Sequence, residues 1–445
     1  MIKTAVVTLG CPKNQVDSEY ILGVLDKNRF ILVGDTREAE VVIVNTCSFI
    51  ADAKRESLET IFELTTREPK PYIIVAGCMV QQHGRELWQE LPEVAAFIGP
   101  GAIGHLPAII ERVLKGERLL ELSSSTEGEE GLPRLTVEGK PYAYLKIAEG
   151  CDNRCAYCTI PAIKGPYRSR PVERLVAEAR ALAATGIKEL ILVAQDTTAY
   201  GLDCYGEYRL PQLLQALARI PGIEWLRLLY AYPTRITPQL VEVMAGEEKV
   251  VPYLDLPLQH ASEDVLRRMN RPGGLKASLK AIDLLRNAMP DIALRSTFIV
   301  GFPGEREEDF YRLLEFLKAV RFDWVGAFKY SPEDGTAAAS MPGQVPEEVK
   351  EERYRRLMLS QQTITKALNE RWVDREMPIL VEEPGIGRSF RQAPEIDGLI
   401  YLEGSYVPPG TFITARITKV RGPYDLVGQV ITCGGSPARR FIKPD

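Results

Sequence analysis

Apolar runs alternate with amphipathic segments in the first part of the chain, and this alternation is typical of an α/β domain with a mainly parallel sheet. Three short apolar runs predict strands at residues 5–9, 41–44 and 72–76. Helices are predicted to begin near Asp17 and Ala51, where the apolar spacing becomes helical. We therefore predict an open parallel α/β domain over residues 1–118.

The middle of the chain repeats a strand-like run followed by a helical segment. The runs lie at residues 143–147, 189–194, 225–230, 253–257, 294–300 and 324–330. Repeated βα units of this size are typical of a barrel, and six of them predict a partial (β/α)6 barrel that is open on one side. We place this barrel at residues 137–367.

The last part of the chain changes to short β-rich runs separated by Gly and Pro. A charged segment with helical period at 347–370 predicts a connecting helix before them. The runs that follow lie at residues 377–382, 385–392, 398–402, 411–420 and 425–431. They predict a small β-barrel over residues 370–445. Between the first two domains, residues 121–131 are rich in Ser, Glu and Gly and are predicted to be a surface linker.

Length and composition agree with several globular domains in one chain. The 445 residues suggest about three domains, and 45% of them are hydrophobic. The net charge of -5 does not favour a dedicated nucleic-acid binder, which is usually basic. The sequence shows neither a signal-peptide pattern nor a long uninterrupted apolar run, so we expect a soluble cytoplasmic protein. In that compartment the eight cysteines are expected to be ligands or buried thiols rather than disulfides.

Three cysteines are closely spaced after the first predicted barrel strand, at Cys151, Cys155 and Cys158. Three thiolates can hold three irons of a 4Fe-4S cluster, which leaves the fourth iron open to a small molecule. A zinc knuckle would need a fourth Cys or His nearby, and a disulfide would need an oxidising compartment. No His follows within thirty residues, and Cys204 lies 46 positions further on. The spacing therefore favours a three-ligand cluster.

The same Cys-x3-Cys-x2-Cys stretch, with Tyr157 before its last cysteine, resembles the signature of the radical S-adenosylmethionine (SAM) enzymes. The resemblance implies that SAM chelates the open iron and is cleaved to a 5'-deoxyadenosyl radical, with Tyr157 beside the adenine. A packing role is the alternative for this aromatic residue. Further stretches, at 195–201 and 298–305, resemble SAM-binding segments of the family. They add these candidate SAM contacts: Gln195, Asp196, Gly301, Gly304 and Glu305.

His260 also follows a predicted barrel strand. A substrate contact and a neutral structural ring remain equal alternatives for it.

Each predicted strand of the first domain is followed by a turn and a cysteine, namely Cys11, Cys47 and Cys78. Because loops at the carboxyl ends of parallel strands converge, these three thiols are expected to form a second three-thiolate site. Packing at strand ends is the alternative for each cysteine taken alone. The surrounding motifs resemble the N-terminal domain of the methylthiotransferases. That resemblance implies a second 4Fe-4S cluster, whose open iron holds the sulfur to be inserted.

The β-rich third domain resembles the TRAM domain, an OB-like module that usually binds RNA. Residues 371–432 carry seven Arg or Lys and eight Asp or Glu, whereas a phosphate-binding surface should be clearly positive. We therefore expect this domain to position a protein, and direct nucleic-acid binding is not favoured.

Motifs at residues 10–14, 17–19, 146–171 and 424–428 resemble the methylthiotransferase branch that modifies a ribosomal protein. This resemblance implies β-methylthiolation of an aspartate in small-subunit ribosomal protein twelve, with SAM, two 4Fe-4S clusters, an external electron donor and a sulfur source. Two alternatives remain. One is a tRNA adenosine methylthiotransferase, which would bind tRNA in a salt-sensitive way. The other is a non-catalytic iron-sulfur or electron-transfer protein, which would need no SAM.

Overall fold

The computed structural model describes residues 1–27, 30–48, 50–122, 131–136, 139–404 and 406–433. Most of the predicted linker at 121–131, and the end of the predicted third domain beyond residue 433, lie outside these residues. The three-domain boundaries stay predictions. None of the helices in the described ranges is long and apolar enough to cross a membrane.

The N-terminal part forms a six-stranded sheet in the order β2-β1-β3-β4-β5-β6, and every neighbouring pair is parallel. Its elements are β1 (Ile2–Thr8), α1 (Pro12–Asp26), β2 (Phe30–Leu32), β3 (Val41–Thr46), α2 (Ala51–Thr65), β4 (Tyr72–Gly77), α3 (Cys78–Glu90), β5 (Ala96–Ile98), α4 (Leu106–Val113) and β6 (Leu119–Glu121). The strand order changes direction between β1 and β3, and ligands of open α/β sheets bind at such a switch point.

Two features of this domain differ from the sequence-based expectation. Strands β2, β5 and β6 are only three residues long, which is too short for a hydrophobic pattern to reveal them. Helix α1 begins at Pro12 and not near Asp17, because proline favours the first helical position and Cys11 serves as the N-cap. The helix therefore starts directly at the crevice.

The middle part is a second six-stranded sheet, parallel throughout, in the order β14-β13-β12-β11-β10-β7. Its elements are β7 (Tyr142–Lys146), β8 (Ala148–Glu149), α5 (Ile160–Lys164), β9 (Arg168–Ser169), α6 (Val172–Ala184), β10 (Glu189–Val193), α7 (Leu202–Tyr205), α8 (Leu210–Ala218), β11 (Trp225–Leu228), α9 (Pro238–Gly246), β12 (Val250–Asp255), α10 (Glu263–Arg268), α11 (Gly274–Ala288), β13 (Ala293–Val300), α12 (Glu307–Val320) and β14 (Trp324–Lys329). Six parallel strands with intervening helices confirm the predicted partial barrel.

The C-terminal part begins with α13 (Glu347–Glu370), whose bounds match the predicted connecting helix. A closed five-stranded barrel follows in the order β15-β16-β17-β19-β18. Its strands are β15 (Glu376–Glu383), β16 (Ile386–Arg388), β17 (Ile400–Glu403), β18 (Phe412–Arg421) and β19 (Asp425–Cys433). The small β-barrel is therefore confirmed, but the predicted strand at 385–392 is wrong after Arg388.

After Arg388 the chain leaves the small barrel and packs against the large one. Arg227 donates to the Phe390 carbonyl at 2.6 Å, and the Trp324 indole donates to the Arg391 carbonyl at 2.5 Å. Alternate residues of each central strand face this segment, whereas the residues between them pack against the surrounding helices. Tertiary packing on the inner face of the large barrel therefore ends β16 early.

Arg388 itself anchors this contact and is fully buried. It donates to Glu189 at 2.7 Å, to the Gln392 carbonyl at 2.7 Å and to Glu382 at 2.8 Å. Removal of one partner of a buried ion pair leaves an uncompensated charge, which costs about 3–5 kcal/mol. We expect Arg388→Met to lower the free energy of unfolding by about that amount, measured by urea denaturation with tryptophan fluorescence.

The matched control is Arg416→Met, which removes an exposed partner of Glu376 at 2.7 Å. Exposed pairs contribute under about 1 kcal/mol, so this variant should denature close to the unmodified protein. Equal losses in both variants would contradict the assignment of Arg388 as a buried anchor.

Candidate functional site

The three cysteines of the N-terminal domain lie at the switch point of its sheet. Cys11 follows β1 and caps α1, Cys47 follows β3, and Cys78 is the first residue of α3 after β4. Cys47 and Cys78 are buried and Cys11 is half-buried. Two of the three thus stand at helix N-termini, whose partial positive charge favours anionic groups.

Gly10 and Asn14 hold this arrangement together. Gly10 has φ +95, and a Cβ at this position would lie 2.6 Å from Cys47 Cβ, so only glycine allows the loops after β1 and β3 to approach so closely. Asn14 donates to the carbonyls of Leu9 and Thr46, both at 3.0 Å. Its Oδ1 lies 3.8 Å from Cys78 Sγ. One asparagine therefore links all three cysteine loops.

Cys151, Cys155 and Cys158 occupy the loop between β8 and α5. The Cys151 amide donates to the Gly165 carbonyl at 3.1 Å, and the Cys158 amide donates to the Cys155 carbonyl at 3.1 Å. Ala156, inside the triad, donates to the Met269 carbonyl at 2.9 Å. These backbone bonds position the three thiols before any ligand binds.

Both triads line a single cavity of about 540 Å³. The N-terminal domain contributes three of the cysteines, and the other three lie on the barrel side together with residues from strand carboxyl ends, such as Gln195, Tyr230 and Gln259. The sequence placed the triads in separate domains, and the structure brings both of them to the lining of one cavity.

The spread of the three thiols in each triad bears on the kind of metal site that they can form. Among the described residues, no three His, Cys, Asp or Glu side chains lie close enough together to hold one metal ion. The three thiolates of a 4Fe-4S site bind three different irons, so they need not converge on one point. All eight cysteines are free thiols. Burial raises the pKa of Cys78 and of Cys158 to about 12, so binding of iron must displace protons from both.

A buried charge network joins the two halves of the site. Lys146 donates to Asp17 of α1 at 2.5 Å and pairs with Glu149 at 3.0 Å. Lys164 pairs with the same two carboxylates at 3.4 and 3.5 Å. Burial alone would raise the pKa of Glu149, but the two ammonium groups hold it well below its usual value. These contacts fasten the N-terminal domain to the first barrel strand.

The candidate SAM contacts fall into two groups. Tyr157 and Gln195 line the cavity, and Gln195 donates to Glu149 at 2.6 Å. Asp196 lies behind the lining, where its Oδ2 accepts from Asn153 at 2.8 Å and pairs with Arg235.

Gly301, Gly304 and Glu305 are outside the cavity lining, near Lys350, Arg268 and Arg353 respectively. All six assignments stay predictions.

His260 is also outside the lining. Its Nδ1 accepts from the Ser262 amide at 2.9 Å, and burial lowers its pKa to about 3. These contacts favour the neutral structural ring over a substrate contact.

Several cavity residues were not identified from the sequence as site residues: Lys13, Lys164, Tyr230, Gln259 and Arg271. Tyr230 and Gln259 have φ of +59 and +74, a conformation rare for side-chain-bearing residues. Such backbone strain clusters at functional sites. Two of them had a signal in the sequence, because Gln259 follows a predicted barrel strand and Lys13 lies close to Cys11. Only tertiary contacts reveal the others.

Cys204 and Cys433 lie on the surface, away from the cavity. We expect Cys204→Ser and Cys433→Ser to keep the full iron content after anaerobic reconstitution, measured by iron analysis and absorbance. A loss of half of the iron in Cys204→Ser would contradict the division of the cysteines into two triads.

Family models match three stretches of the chain. Residues 145–317 match the Radical SAM superfamily, residues 3–99 match Uncharacterized protein family UPF0004, and residues 373–431 match the TRAM domain. These matches agree with the predicted fold class of an α/β domain, a radical SAM barrel and a TRAM barrel.

Full-length relatives carry one name. A Moorella thermoacetica protein named "Ribosomal protein uS12 methylthiotransferase RimO" is 67% identical over 430 residues, covering 97% of this chain and 100% of the relative. A Heliobacterium modesticaldum protein of the same name is 47% identical and covers 97% of this chain and 95% of the relative.

A solved structure has a similar fold. The radical SAM methyltransferase TsrM from Kitasatospora setae, with cobalamin and a [4Fe-4S] cluster bound, has a TM-score of 0.55 at 15% identity. The match covers 76% of this chain and 77% of that one. At this identity the likeness concerns the fold alone.

Proposed function

Because this chain belongs to the family of ribosomal protein uS12 methylthiotransferases, which are radical SAM enzymes, we propose that it inserts a methylthio group at the β-carbon of an aspartate in uS12. The product is 3-methylthioaspartate. The proposal is supported by the name shared by relatives at 67% and 47% identity, each matched over nearly its full length.

As a radical SAM enzyme the protein uses SAM and an iron-sulfur cluster. We assign this cluster to Cys151, Cys155 and Cys158, and a second 4Fe-4S cluster to Cys11, Cys47 and Cys78. When bound, these groups supply a radical that removes a hydrogen atom from an unactivated carbon, and a methylthio group that replaces it.

The convergence of both triads on one cavity of about 540 Å³ is the observation that carries the proposal. Hydrogen removal and sulfur insertion must occur at the same carbon atom, so the groups responsible have to face one substrate position. A buried ion-pair network holds the two domains together beside this cavity. It joins Asp17 of the N-terminal domain to Lys146 and Lys164 of the barrel, which also pair with Glu149. Lys54 and Glu333, paired at 2.6 Å, provide another contact between them.

The third domain supports a protein substrate. Arg388 and Arg391 are buried and paired with acidic residues of the barrel. Two more cations are engaged on the surface, Arg416 with Glu376 and Lys419 with Glu403. In the described part of this domain these pairs engage four of the seven cations, and the acidic residues outnumber the basic ones, so direct nucleic-acid binding is not expected.

The reaction also requires an external electron donor and a sulfur source. A ribosomal substrate implies that the protein acts in the cytoplasm.

The decisive experiment is mass spectrometry of uS12 after incubation with anaerobically reconstituted protein, SAM and a reductant. We expect the exchange of one hydrogen for a methylthio group on a single aspartate. Parallel reactions contain tRNA in place of uS12. Methylthiolated adenosine without modified uS12 would overturn the proposal in favour of the tRNA enzyme, and the absence of any SAM cleavage would favour an electron-transfer protein.

A further inference from the structure

The substrate aspartate brings a negative charge to the reacting carbon. Its carboxyl carbon is bonded directly to the β-carbon, so the carboxylate must lie between the two cysteine triads whenever the β-carbon does. A carboxylate in a partly buried cavity needs a cation or hydrogen-bond donors to offset its lost hydration. The cavity should therefore contain a cation that is not already neutralised.

Three of the cations that line the cavity are already engaged. Lys164 pairs with Asp17 and Glu149 at 3.4 and 3.5 Å. Lys329 pairs with Glu347 at 2.8 Å and with Glu351 at 3.0 Å.

Arg271 donates to the Pro257 carbonyl at 2.6 Å, approaches Cys155 Sγ at 3.8 Å and stacks on the Tyr232 ring. Lys164, Lys329 and Arg271 are therefore each held by at least two partners.

Lys13 is the remaining cation of the lining. Its ammonium lies 3.9 Å from the centroid of the Tyr230 ring, a cation–π contact that leaves N–H groups free to donate. Within the described part of the chain, no oxygen accepts a hydrogen bond from it and no carboxylate lies within ion-pair distance, although Cys11 and Glu149 attract its charge from further away. Glu333, the acidic residue of the lining, is already paired with Lys54 at 2.6 Å.

The position of Lys13 fits the required geometry. It lies on α1 of the N-terminal domain, directly after the loop that carries Cys11. Tyr230 belongs to the barrel and follows β11 at its carboxyl end. The ammonium therefore lies where the two domains meet within the cavity.

We propose that the Lys13 ammonium binds the side-chain carboxylate of the substrate aspartate and selects it over an uncharged amide. This inference rests on the proposed function. Lys13 acts here as a specificity-determining residue.

Binding of two peptides tests the inference. Both carry the uS12 target loop, one with the target aspartate and one with asparagine in its place. Their dissociation constants are measured by fluorescence anisotropy with reconstituted protein, SAM and no reductant. We expect Lys13→Met to weaken the aspartate peptide about ten- to a hundred-fold, because a hydrogen bond to a charged group contributes about 1.5–3 kcal/mol. The asparagine peptide should bind equally to both proteins, and Lys13→Arg should restore much of the preference.

Lys27→Met is the matched control, because Lys27 caps the opposite end of α1 and is exposed. It should bind both peptides as the unmodified protein does. The inference is overturned if Lys13→Met keeps the preference for aspartate, or if it weakens both peptides equally. An altered cluster EPR spectrum with the preference unchanged would also overturn it, and would make Lys13 a counter-ion of the first cluster.

Turnover separates this inference from the proposed function. If the unmodified protein methylthiolates the aspartate peptide while Lys13→Met keeps its preference, only the role of Lys13 fails. If the unmodified protein releases 5'-deoxyadenosine but never modifies the peptide or uS12, the proposed function fails, and the inference fails with it.

Discussion

Replacement of Cys151, Cys155 and Cys158 by alanine is expected to abolish release of 5'-deoxyadenosine, the largest effect that we predict. Without three thiolates no cluster remains at the barrel loop to bind SAM and deliver the electron that cleaves it. The N-terminal triad is complete without these residues, so about half of the iron should remain. Liquid chromatography of the nucleoside products and iron analysis of the reconstituted protein measure the two quantities.

Loss of all iron in this triple variant would contradict two independent sites. Cys204→Ser is its control, because it removes an exposed thiol that does not line the cavity. Circular dichroism of each variant before reconstitution shows whether the fold is retained. This comparison matters because Cys151 is buried and its amide helps to shape the loop.

Replacement of Cys11, Cys47 and Cys78 by alanine is expected to abolish the methylthio product while reductive cleavage of SAM continues. The barrel triad keeps its backbone bonds to Gly165 and Met269, which do not involve the N-terminal domain. Its thiols, Tyr157 and Gln195 are likewise unchanged. Mass spectrometry of uS12 and chromatography of 5'-deoxyadenosine, performed on the same reaction, measure the separation of the two activities.

Formation of methylthioaspartate by this second variant would mean that the N-terminal cysteines are packing residues. A different result would be loss of SAM cleavage although the barrel cluster is present by EPR. It would mean that the two sites are coupled, and the Asp17, Lys146, Glu149 and Lys164 contacts would be the first candidates for that coupling. Asn14→Ala is a less severe variant for comparison, because it removes the side-chain hydrogen bonds to the Leu9 and Thr46 carbonyls but keeps all three thiols.

The elements of the fold were largely predictable from the sequence. Helix α13 has the predicted bounds, and six parallel strands form the large barrel as the apolar runs indicated. These predictions succeeded because the hydrophobic period of a long element is a local property. Strands of three residues, such as β2, carry too little pattern to be recognised.

The predicted strand at 385–392 is wrong after Arg388 for a different reason. Residues 389–392 were predicted to continue the strand, but the carbonyls of Phe390 and Arg391 accept hydrogen bonds from Arg227 and Trp324 of the large barrel. Tertiary contacts override local preference at such positions.

For the site, the sequence alone predicts which cysteines would carry iron-sulfur chemistry. Cys151, Cys155 and Cys158 lie within one loop, so their spacing alone brings three thiols together. Strand periodicity placed Cys11, Cys47 and Cys78 at one edge of a sheet, where parallel topology makes them converge. Both arguments are local or follow from the rules of a single domain.

By contrast, the common cavity of the two triads and the charges that surround it are visible only in the folded molecule. Lys13 contacts Tyr230, and Lys146 contacts Asp17, although more than a hundred residues separate the two partners of each pair in the sequence. No hydrophobic period or motif spacing encodes such a pairing, because it depends on how two separately formed sheets dock. Whether the Lys13 ammonium has a carboxylate partner likewise depends on the assembled cavity. Within the described residues Glu333 pairs with Lys54 across the two domains, whereas Glu149 pairs with Lys164 and Glu347 with Lys329.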